Sequence, residues 1–401
     1  MTYDYLIIGA GIVGLATARR LQERFPHAQI AVLEKEPNVA MHQSGHNSGV
    51  VHAGVYYAPG SLKARLCRLG SIAVAEFCTQ HRIPFERCGK LIVATTPGEL
   101  LRMHALAGRA RENGLSIETL PAAAIDEREP RIRGLGAIFV PETAIADYPA
   151  LCGRLAELIS QTGGALYCGA EVFGIRESDQ QVVVETKSAT FTGRQLVVCG
   201  GLQADRLARL AGLAIDFAIV PFRGDYFTLP AARSGLVKTL IYPVPDPRLP
   251  FLGVHLTLTT SGAITLGPSA MLALAREDYR HWRIDRHDLR ELLCFAGTWR
   301  LLARYPHAGM VEISRALSRR AYLAAVRRYC PDLNLADLIS PSCGIRAQAV
   351  GRDGQLIHDF LLLSTKRSVH VCNAPSPAAT AAFPIADTIV GEISRLAARR
   401  T

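Results

Sequence analysis

The hydrophobic pattern near the start of the chain predicts a strand, a glycine-rich turn and a helix. The apolar run at residues 5–8 leads into Gly9, Gly11 and Gly14, which are spaced as GxGxxG, and the amphipathic segment Leu15 to Leu21 follows. In such a unit the first glycine permits a tight turn, the second lets the backbone approach a pyrophosphate, and the third allows the helix to pack closely on the strand. The helix N-terminus offers N–H groups and a positive dipole end to phosphates, so the pattern predicts a nucleotide pocket.

A second predicted strand supports this interpretation. The apolar run Ile30 to Leu33 ends in Glu34, which stands 20 residues after Gly14. An acidic side chain at this distance accepts hydrogen bonds from the ribose hydroxyls of an adenosine. Its charge also disfavours NADP, whose ribose phosphate would meet a like charge. We therefore expect Glu34 to bind the ribose.

Distant segments of the chain have the pattern of one sheet. Strands are predicted over residues 181–186 and 189–196, and the second of these leads to Gly200 and a helix over residues 204–211. A further apolar strand at residues 369–372 leads into a loop of small residues and then a helix. Together these segments predict a discontinuous nucleotide-binding domain that comprises residues 1–85, 146–215 and 335–401.

The intervening residues 86–145 and 216–334 are richer in β-type runs, which predicts a second, largely antiparallel domain that covers the pocket and binds the substrate. Strands are expected at residues 90–94 and 252–258, and helices near residues 97–113, 275–303 and 315–329. The predicted fold class is therefore α/β, or α+β for the whole chain: a Rossmann-like domain with an interleaved antiparallel β-sheet domain.

Charge and cysteine content narrow the possible functions. The 401 residues carry a net charge of +10, but the basic residues are spread along the chain, with clusters at residues 315–320, 327–328 and 399–400 and no nucleic-acid-binding motif. We therefore expect no nucleic-acid partner, and solvated helix faces or attraction to an anionic membrane surface both stay open. Ten scattered cysteines without a CxxC pair are typical of reduced thiols. No apolar run reaches about 18 residues and the first strand begins almost at Met1, so we expect a cytoplasmic protein.

Three histidines lie close together in one glycine-containing segment, at His42, His46 and His52. Their spacing across a loop, with no nearby cysteine or carboxylate to complete a zinc shell, argues against a metal site. We therefore expect no metal.

Five segments of the chain resemble one enzyme family: residues 42–57, 59–64, 221–227, 344–348 and 373–380. They are similar to the L-2-hydroxyglutarate oxidases and dehydrogenases, which belong to the FAD-dependent amine and hydroxy-acid oxidoreductases of the D-amino-acid-oxidase type. The resemblance covers essentially the whole chain, with conservative departures at Asp225, where many relatives have glutamate, and at Phe383-Pro384. It implies a noncovalent FAD enzyme that oxidises L-2-hydroxyglutarate, a small dicarboxylate hydroxy acid, to 2-oxoglutarate by hydride transfer from C2 to flavin N5.

FAD must be held along its whole length, which explains three separated loops of small residues, although glycines alone also mark turns. The loop from Gly45 to Gly54 lets the backbone approach a flat ring system, and backbone donors from Gly344 to Arg346 are expected at the flavin's pyrimidine end. His46 and Cys343 lie where covalent flavin links occur elsewhere in the superfamily, but we expect no bond here. The residues expected to bind FAD are Gly9, Gly11, Gly14, Glu34, Ser44, His46, Asn47, Ser48, Gly49, Val172, Gly200, Gly344, Arg346, Pro377 and Ala378.

The oxidation of a 2-hydroxy acid requires a base that takes the hydroxyl proton. His255 and His52 are the candidates, because imidazole titrates near neutral pH. His255 lies in the domain expected to cover the flavin, and His52 lies in the loop expected to touch it. The alternative for each histidine is a hydrogen bond to the cofactor or substrate.

Substrate carboxylates require cations. Arg223 is the first candidate, because it lies between aromatic neighbours in a predicted strand and arginine can form a bidentate pair with a carboxylate. Lys63 and Arg346 are assigned to carboxylates or to the flavin, and a surface or interdomain salt bridge is the alternative for Arg223 and Lys63. Tyr57 and Tyr242 are expected to contact the substrate, with packing as the alternative for either tyrosine.

Two other functions stay open at this point. One is an amine oxidoreductase of the same fold that acts on glycine derivatives, a D-amino acid or proline, and the other is a protein that binds FAD only as a structural or assembly component. The long match across residues 42–64 favours the hydroxy acid. No motif identifies the electron acceptor, so oxygen, a membrane quinone and an electron-transfer protein are all open; a quinone would place the enzyme at the inner face of the cell membrane.

Overall fold

The computed structural model describes residues 2–246, 252–280 and 283–398. The strands in these ranges are β1 (Thr2–Ile8), β2 (Ile30–Leu33), β3 (Val50–Val51), β4 (Phe85–Glu86), β5 (Lys90–Ala94), β6 (Glu118–Pro121), β7 (Gly136–Val140), β8 (Ala144–Ala146), β9 (Ala165–Tyr167), β10 (Val172–Glu177), β11 (Val182–Thr186), β12 (Thr190–Val198), β13 (Phe217–Thr228), β14 (Leu240–Pro243), β15 (His255–Leu258), β16 (Ile264–Gly267), β17 (Met271–Leu272), β18 (Ile339–Gly351), β19 (Leu361–Ser364) and β20 (Ser368–Asn373). The α-helices are α1 (Ile12–Arg24), α2 (Leu62–His81), α3 (Pro97–Glu112), α4 (Ala122–Arg128), α5 (Tyr148–Gln161), α6 (Ala204–Leu210), α7 (Arg286–Cys294), α8 (Ala296–Arg304), α9 (Pro306–Leu317), α10 (Arg319–Arg327) and α11 (Ala382–Ala398).

The first sheet has the strand order β10-β11-β12-β1-β2-β9, with β20 beside β12 and β19 beside β20. Strand β1 pairs in parallel with both β2 and β12, so that Ile8 lies opposite Leu33 and Val198 and the carboxyl ends of three strands meet at one edge. Side chains alternate between the two faces of a strand. Ile7 therefore packs with helices α1, α5 and α11, whereas Leu6 packs in a separate cluster on the other face. The predicted Rossmann-like domain is confirmed.

The second sheet is largely antiparallel and follows the order β17-β13-β16-β15-β14-β5-β7-β6. Strands β14 and β5 are its parallel neighbours, with Tyr242 opposite Ile92. A small third sheet, β3-β8-β4, joins the segment after the glycine turn to the start of the second domain. The α/β fold class with an interleaved antiparallel domain is therefore confirmed.

Strand β18 differs from the expected domain boundary, which placed residues 335–401 in the nucleotide-binding domain. It pairs antiparallel with β13 along most of its length, from Phe217 opposite Gly351 to Thr228 opposite Ile339, and so belongs to the second sheet. A long strand needs a partner for its backbone N–H and C=O groups. That partner lies more than 100 residues earlier in the chain, so no local pattern indicates the pairing.

The helix expected over residues 275–303 is wrong in its first part and is interrupted afterwards. Helix α7 begins only at Arg286, where the Asp285 side chain caps it by accepting hydrogen bonds from the His287 and Asp288 N–H groups. Three further short helices, α8 to α10, follow with breaks at Phe295, Tyr305 and Ser318. The strand expected over residues 252–258 covers only His255 to Leu258.

Candidate active site

The glycine turn between β1 and α1 leaves no room for side chains at Gly9 and Gly14. Gly9 has a φ of +99°, and an ideal Cβ there would lie 2.4 Å from the Cys199 carbonyl oxygen. An ideal Cβ at Gly14 would lie 1.9 Å from the Gly9 oxygen, so α1 packs directly on the turn. At Gly11, by contrast, a Cβ meets only Ser44 Oγ, at 3.2 Å. Gly11 therefore marks the open side of the turn, where a ligand can approach the helix N-terminus.

Glu34 lies at the end of β2, beside this turn. Its carboxylate accepts hydrogen bonds from the Ala10 N–H at 2.7 Å and from the Glu36 N–H at 3.0 Å. The two backbone donors fix the carboxylate on the cavity wall, and each of its oxygens keeps a lone pair for a further donor. This is the position that a ribose-binding acid requires.

Ser44 lies at the N-terminus of α1, where its Oγ accepts a hydrogen bond from the Ile12 N–H at 2.9 Å. The helix has no cap from its own N-cap residue, Gly11. A residue 32 positions further along the chain therefore brings a hydroxyl to the place where the helix dipole favours an anion.

One cavity of about 1110 Å³ runs from the glycine turn to the second sheet. Sites for drug-sized ligands measure about 300–1,000 Å³, so this volume suits a long dinucleotide together with a substrate. The residues predicted for the site that line it are Gly9, Gly11, Gly14, Glu34, Ser44, His46, Asn47, Ser48, His52, Val172, Gly200, Arg223, Tyr242, His255, Gly344, Arg346, Pro377 and Ala378. Gly49, Tyr57 and Lys63 do not form its wall.

His255 lies at the start of β15 and is 5% exposed. Its ring stacks on Tyr242, with 3.8 Å between the ring centroids, and Nδ1 is 2.9 Å from the Gly253 carbonyl oxygen. A carbonyl only accepts, so Nδ1 carries the proton and the neutral ring has its lone pair on Nε2. Burial, together with the charges of Lys90 and Arg346, lowers the pKa of His255 to about 3.

His52 lies near the same cations. Its backbone N–H donates to Thr380 Oγ1 at 3.1 Å, and Tyr148 Oη lies 3.3 Å from the same threonine oxygen. Burial, followed by the charges of Lys90 and other nearby cations, lowers the pKa of His52 to about 3 as well. Both candidate bases are therefore neutral over the physiological pH range before a substrate binds.

The cations near the two histidines are Arg346, Lys63 and Lys90. Arg346 lies on β18, lines the cavity, and has a pKa lowered by burial although Tyr226 and Tyr57 act in the opposite direction. Lys63 donates to the His358 carbonyl oxygen at 3.0 Å, and burial lowers its pKa to about 8. Such an excess of positive charge in a partly desolvated site favours an anionic ligand.

Arg223 lies in the cavity wall but is already engaged. Its Nε donates to Asp225 Oδ1 at 2.7 Å, and its Nη1 donates to the Arg280 carbonyl oxygen at 2.8 Å. Residues two apart on a strand share a face, so β13 brings Arg223 and Asp225 side by side, a pairing that was not predicted from the sequence. A substrate carboxylate can therefore bind Arg223 only in a geometry in which the guanidinium contacts both this carboxylate and Asp225.

His42 and His46, which precede His52 in the same glycine-containing segment, each contact a different side chain. His46 stacks on Tyr279 with 3.7 Å between the ring centroids, and His42 Nε2 lies 2.8 Å from Glu36 Oε1. Cys343 donates its thiol hydrogen to the Tyr279 carbonyl oxygen, and burial raises its pKa, which disfavours the reactive thiolate. The expectation of a noncovalent flavin stays a prediction.

Sequence reasoning missed Lys90, Tyr148 and Thr380. Tyr148 and Thr380 hold the segment around His52 through hydroxyl groups, which have no motif of their own. Lys90 begins an apolar strand and is only 1% exposed. Nothing in the local pattern distinguishes it from a lysine that faces solvent at a strand end.

The donor set and shape of the cavity fit FAD: a turn without room for side chains, an acid at the ribose position and a cavity that reaches a second domain. The chain belongs to the family of FAD dependent oxidoreductases (DAO), whose model matches residues 4–391. FAD is therefore its cofactor.

Within this family of oxidoreductases, the chain is similar to curated proteins that share one named activity. The chain is 46% identical over 400 residues to an L-2-hydroxyglutarate dehydrogenase of Escherichia coli (strain K12), covering 100% of this chain and 95% of the relative. It is 40% identical over 412 residues to a mitochondrial L-2-hydroxyglutarate dehydrogenase of Homo sapiens, covering 98% of this chain and 89% of the relative.

Solved structures agree on the fold. The structure is similar to dithionite-reduced L-alpha-glycerophosphate oxidase from Mycoplasma pneumoniae with FAD bound, with a TM-score of 0.80 at 22% identity over 98% of this chain and 95% of the other. It is also similar to glycine oxidase from Geobacillus kaustophilus, with a TM-score of 0.75 at 19% identity over 98% and 95% of the two chains. At these identities the likeness concerns the fold alone.

Proposed function

We propose that this protein catalyses the FAD-dependent oxidation of L-2-hydroxyglutarate to 2-oxoglutarate. The observation that carries the proposal is the group of cations near two neutral imidazoles of the cavity wall, with Arg346 in the wall and Lys63 and Lys90 outside it, which suits a hydroxy acid with two carboxylates. The full-length identity of 46% to an L-2-hydroxyglutarate dehydrogenase supports this substrate. The amine oxidoreductase alternative is not favoured, because the glycine oxidase likeness reaches only 19% identity.

The reaction removes a hydride from C2 and a proton from the C2 hydroxyl. Bound FAD supplies the two-electron acceptor for the hydride. His255 accepts the hydroxyl proton on Nε2, because the hydrogen bond to Gly253 keeps the other ring nitrogen protonated. His52 is the second candidate for this role. The negative charge of the substrate opposes the effect of the surrounding cations, so binding raises the pKa of the base and makes it a better proton acceptor.

The proposed function predicts a colour change. The purified holoenzyme should be yellow, and anaerobic addition of L-2-hydroxyglutarate should bleach it with formation of one 2-oxoglutarate for each flavin reduced. Sarcosine, D-alanine and L-proline serve as controls for the amine alternative. Bleaching by one of these amines and not by the hydroxy acid would overturn the proposal, and a colour that no substrate changes would support the assembly-component alternative.

We propose that Arg346, rather than Arg223, is the main cation that binds a substrate carboxylate. Arg346 affects the pKa values of both His52 and His255, whereas Arg223 is bound to Asp225. Loss of a charge-assisted contact in a desolvated site costs about 2–5 kcal/mol, so Arg346→Ala should lower kcat/KM at least 30-fold. Arg346→Lys should recover only part, because an ammonium lacks the planar fork.

Arg223→Ala provides the comparison. If Arg223 also binds a carboxylate, as its position in the cavity wall suggests, this variant should lose about 30-fold in kcat/KM as well. Steady-state kinetics of the two variants, each with its flavin content measured, tests both assignments. Unchanged kinetics in either variant removes that arginine from the substrate site.

We propose further that the electron acceptor is a membrane quinone, reached from the inner face of the cell membrane. Helices α8 and α9 expose large apolar side chains, including Trp299 (55%), Met310 (63%) and Leu317 (69%). Exposed arginines, among them Arg300 and Arg304, accompany them. Apolar side chains combined with arginines favour adsorption to an anionic bilayer surface. Within the described ranges, no helix combines the length and apolar character needed to cross a bilayer.

An apolar cavity of about 300 Å³ lies beneath α8 and α9 and supports the quinone over oxygen. It shares wall residues, such as Phe222 and Ala275, with the large cavity. A quinone that enters from a bilayer would therefore approach the cofactor site through largely apolar surroundings. A small gas such as oxygen requires no such cavity.

Substitution in α9 tests the membrane contact. Met310→Glu combined with Leu317→Glu should lower sedimentation with vesicles of phosphatidylglycerol, because two charges replace exposed apolar side chains. Leu101→Glu is the matched control, since Leu101 is 75% exposed but lies on α3. Quinone reduction in vesicles should fall with the double variant, while reduction of a soluble dye stays normal. Equal vesicle binding by all three proteins would contradict the proposal.

A further inference from the structure

Lys90 is a buried ammonium without an acidic partner among the described residues. Its side chain is 1% exposed, and its Nζ lies 4.7 Å from the centroid of the Tyr56 ring and 5.0 Å from that of Tyr242. Tyr242 belongs to a buried apolar cluster with Val55 and Ile92, and Tyr56 packs against this cluster. The hydroxyl of Tyr56 is itself buried and has no hydrogen-bond partner within the part of the chain that the structure describes.

The titratable groups around this ammonium do not neutralise it. They are Cys67, Cys88, Tyr56, Tyr242, His52 and His255. Burial raises the pKa of Cys67 to about 12 and that of Cys88 to about 11, so both thiols stay protonated. The tyrosines are neutral for the same reason, and the two imidazoles are neutral as described above. A buried charge of this kind destabilises the fold unless an anion compensates it.

The position of Lys90 relative to the cavity defines how it acts. Tyr242 and His255 line the cavity, whereas Lys90 does not. Tyr242 contacts both groups, so Nζ lies within about 9 Å of the His255 ring. The ammonium therefore reaches the cavity through its electric field across one aromatic ring, in surroundings that screen charge poorly.

We propose that Lys90 is a specificity-determining residue: from behind the cavity wall, its charge makes the site select substrates with two carboxylates over substrates with one. This inference rests on the proposed function. Asp359 partly offsets the charge of Lys63, whereas the charge of Lys90 has no acidic partner among the described residues and so favours a second carboxylate beside the one that Arg346 binds. Lys90 does not touch the substrate, and so it is a positioning residue for the charge of the ligand.

Selectivity between two substrates of equal length tests this role. L-2-hydroxyglutarate is compared with its 5-amide, which lacks only the distal charge. Lys90→Met should lower the ratio of the two kcat/KM values about tenfold, as expected for unit charges about 12 Å apart at an effective dielectric constant of 20. Met fills the site with a flexible apolar chain, and Lys90→Arg should keep the ratio because the charge stays. Lys238→Met is the matched control, since it removes an exposed lysine shortly before β14.

The pH dependence provides a second readout. Burial lowers the pKa of Lys90 to about 8, so the ammonium loses its charge as the pH rises through that value. The selectivity ratio of the wild-type enzyme should therefore fall above about pH 8. Lys63 has a pKa near 8 for the same cause, and the comparison is consequently made in a Lys63→Arg background. In that background, adding Lys90→Arg should abolish the fall, because arginine stays charged.

The outcomes separate this inference from the proposed function. An unchanged ratio of the two kcat/KM values in Lys90→Met would overturn the inference. If activity falls equally with both substrates, the role of Lys90 is purely structural. If the wild-type holoenzyme is reduced by neither substrate, the proposed function fails, and binding then decides the role of Lys90. Glutarate and its monoamide are titrated against the flavin absorbance for this purpose. A Lys90→Met holoenzyme that still distinguishes them as the wild type does would overturn the inference.

Discussion

Gly11→Val should yield a colourless protein. Gly11 lies at the open side of the turn, where an added Cβ meets only Ser44 Oγ, and the two methyl groups of valine would extend into the cavity at the N-terminus of α1. The pyrophosphate of FAD would then lose its approach to several backbone N–H groups. Hydrogen bonds to charged groups contribute about 1.5–3 kcal/mol each, so the loss of two should weaken FAD binding at least 100-fold.

The measurement is the ratio of flavin to protein after purification, followed by titration of the apoprotein with FAD. Gly153→Val is the matched control, because Gly153 lies in α5 of the same domain and an ideal Cβ there has no heavy atom within 4 Å. A Gly11→Val protein that is folded by circular dichroism and carries full flavin would remove Gly11 from the cofactor site. Acid precipitation of the wild type should leave FAD in the supernatant, and flavin that stays on the polypeptide would contradict noncovalent binding.

The nucleotide-binding part could be predicted from the sequence because its chemistry is local. Gly9 and Gly11 act through backbone conformation, Gly14 packs on Gly9 itself, and Glu34 follows on the adjacent strand, whereas the Cys199 carbonyl oxygen close to Gly9 comes from a distant segment. A strand, a turn, a helix and a second strand within some 35 residues leave few alternative arrangements. The family assignment was predictable for the same reason, since the motifs that carry it are contiguous.

The substrate end was less predictable because its residues meet only in the folded chain. Lys90 is buried against the rings of Tyr56 and Tyr242, which come from other segments of the chain. The helix expected from residue 275 fails for a similar reason. Arg276 is 3% exposed and pairs with Asp205, with 2.6 Å between Nη1 and Oδ1, so a contact across 71 residues holds this segment outside any helix. Helical periodicity contains no information about such a partner.

The second large effect is expected at the proton acceptor. His255→Asn should slow flavin reduction by L-2-hydroxyglutarate about 10²–10⁴-fold, the usual contribution of a general base. The asparagine amide retains a donor for the Gly253 carbonyl oxygen but removes the nitrogen that takes the proton. FAD content should stay normal, because the glycine turn and Glu34 belong to the first sheet, whereas His255 lies on β15 of the second sheet.

Stopped-flow reduction of His255→Asn, His52→Asn and the double variant assigns the base. His370→Asn is the matched control, because His370 is 1% exposed in β20 and does not line the cavity. A large loss in one single variant identifies that histidine as the proton acceptor. Near wild-type reduction in all three variants would leave a tyrosine or a bound water as the proton acceptor.

The pH dependence of the reaction provides a second test of the base. Since burial and cations lower the pKa of His255 to about 3 and a bound dianion raises it, the acid limb of kcat should lie at higher pH than that of kcat/KM. A kcat limb at lower pH than the kcat/KM limb would exclude a base whose affinity for the proton increases when the substrate binds.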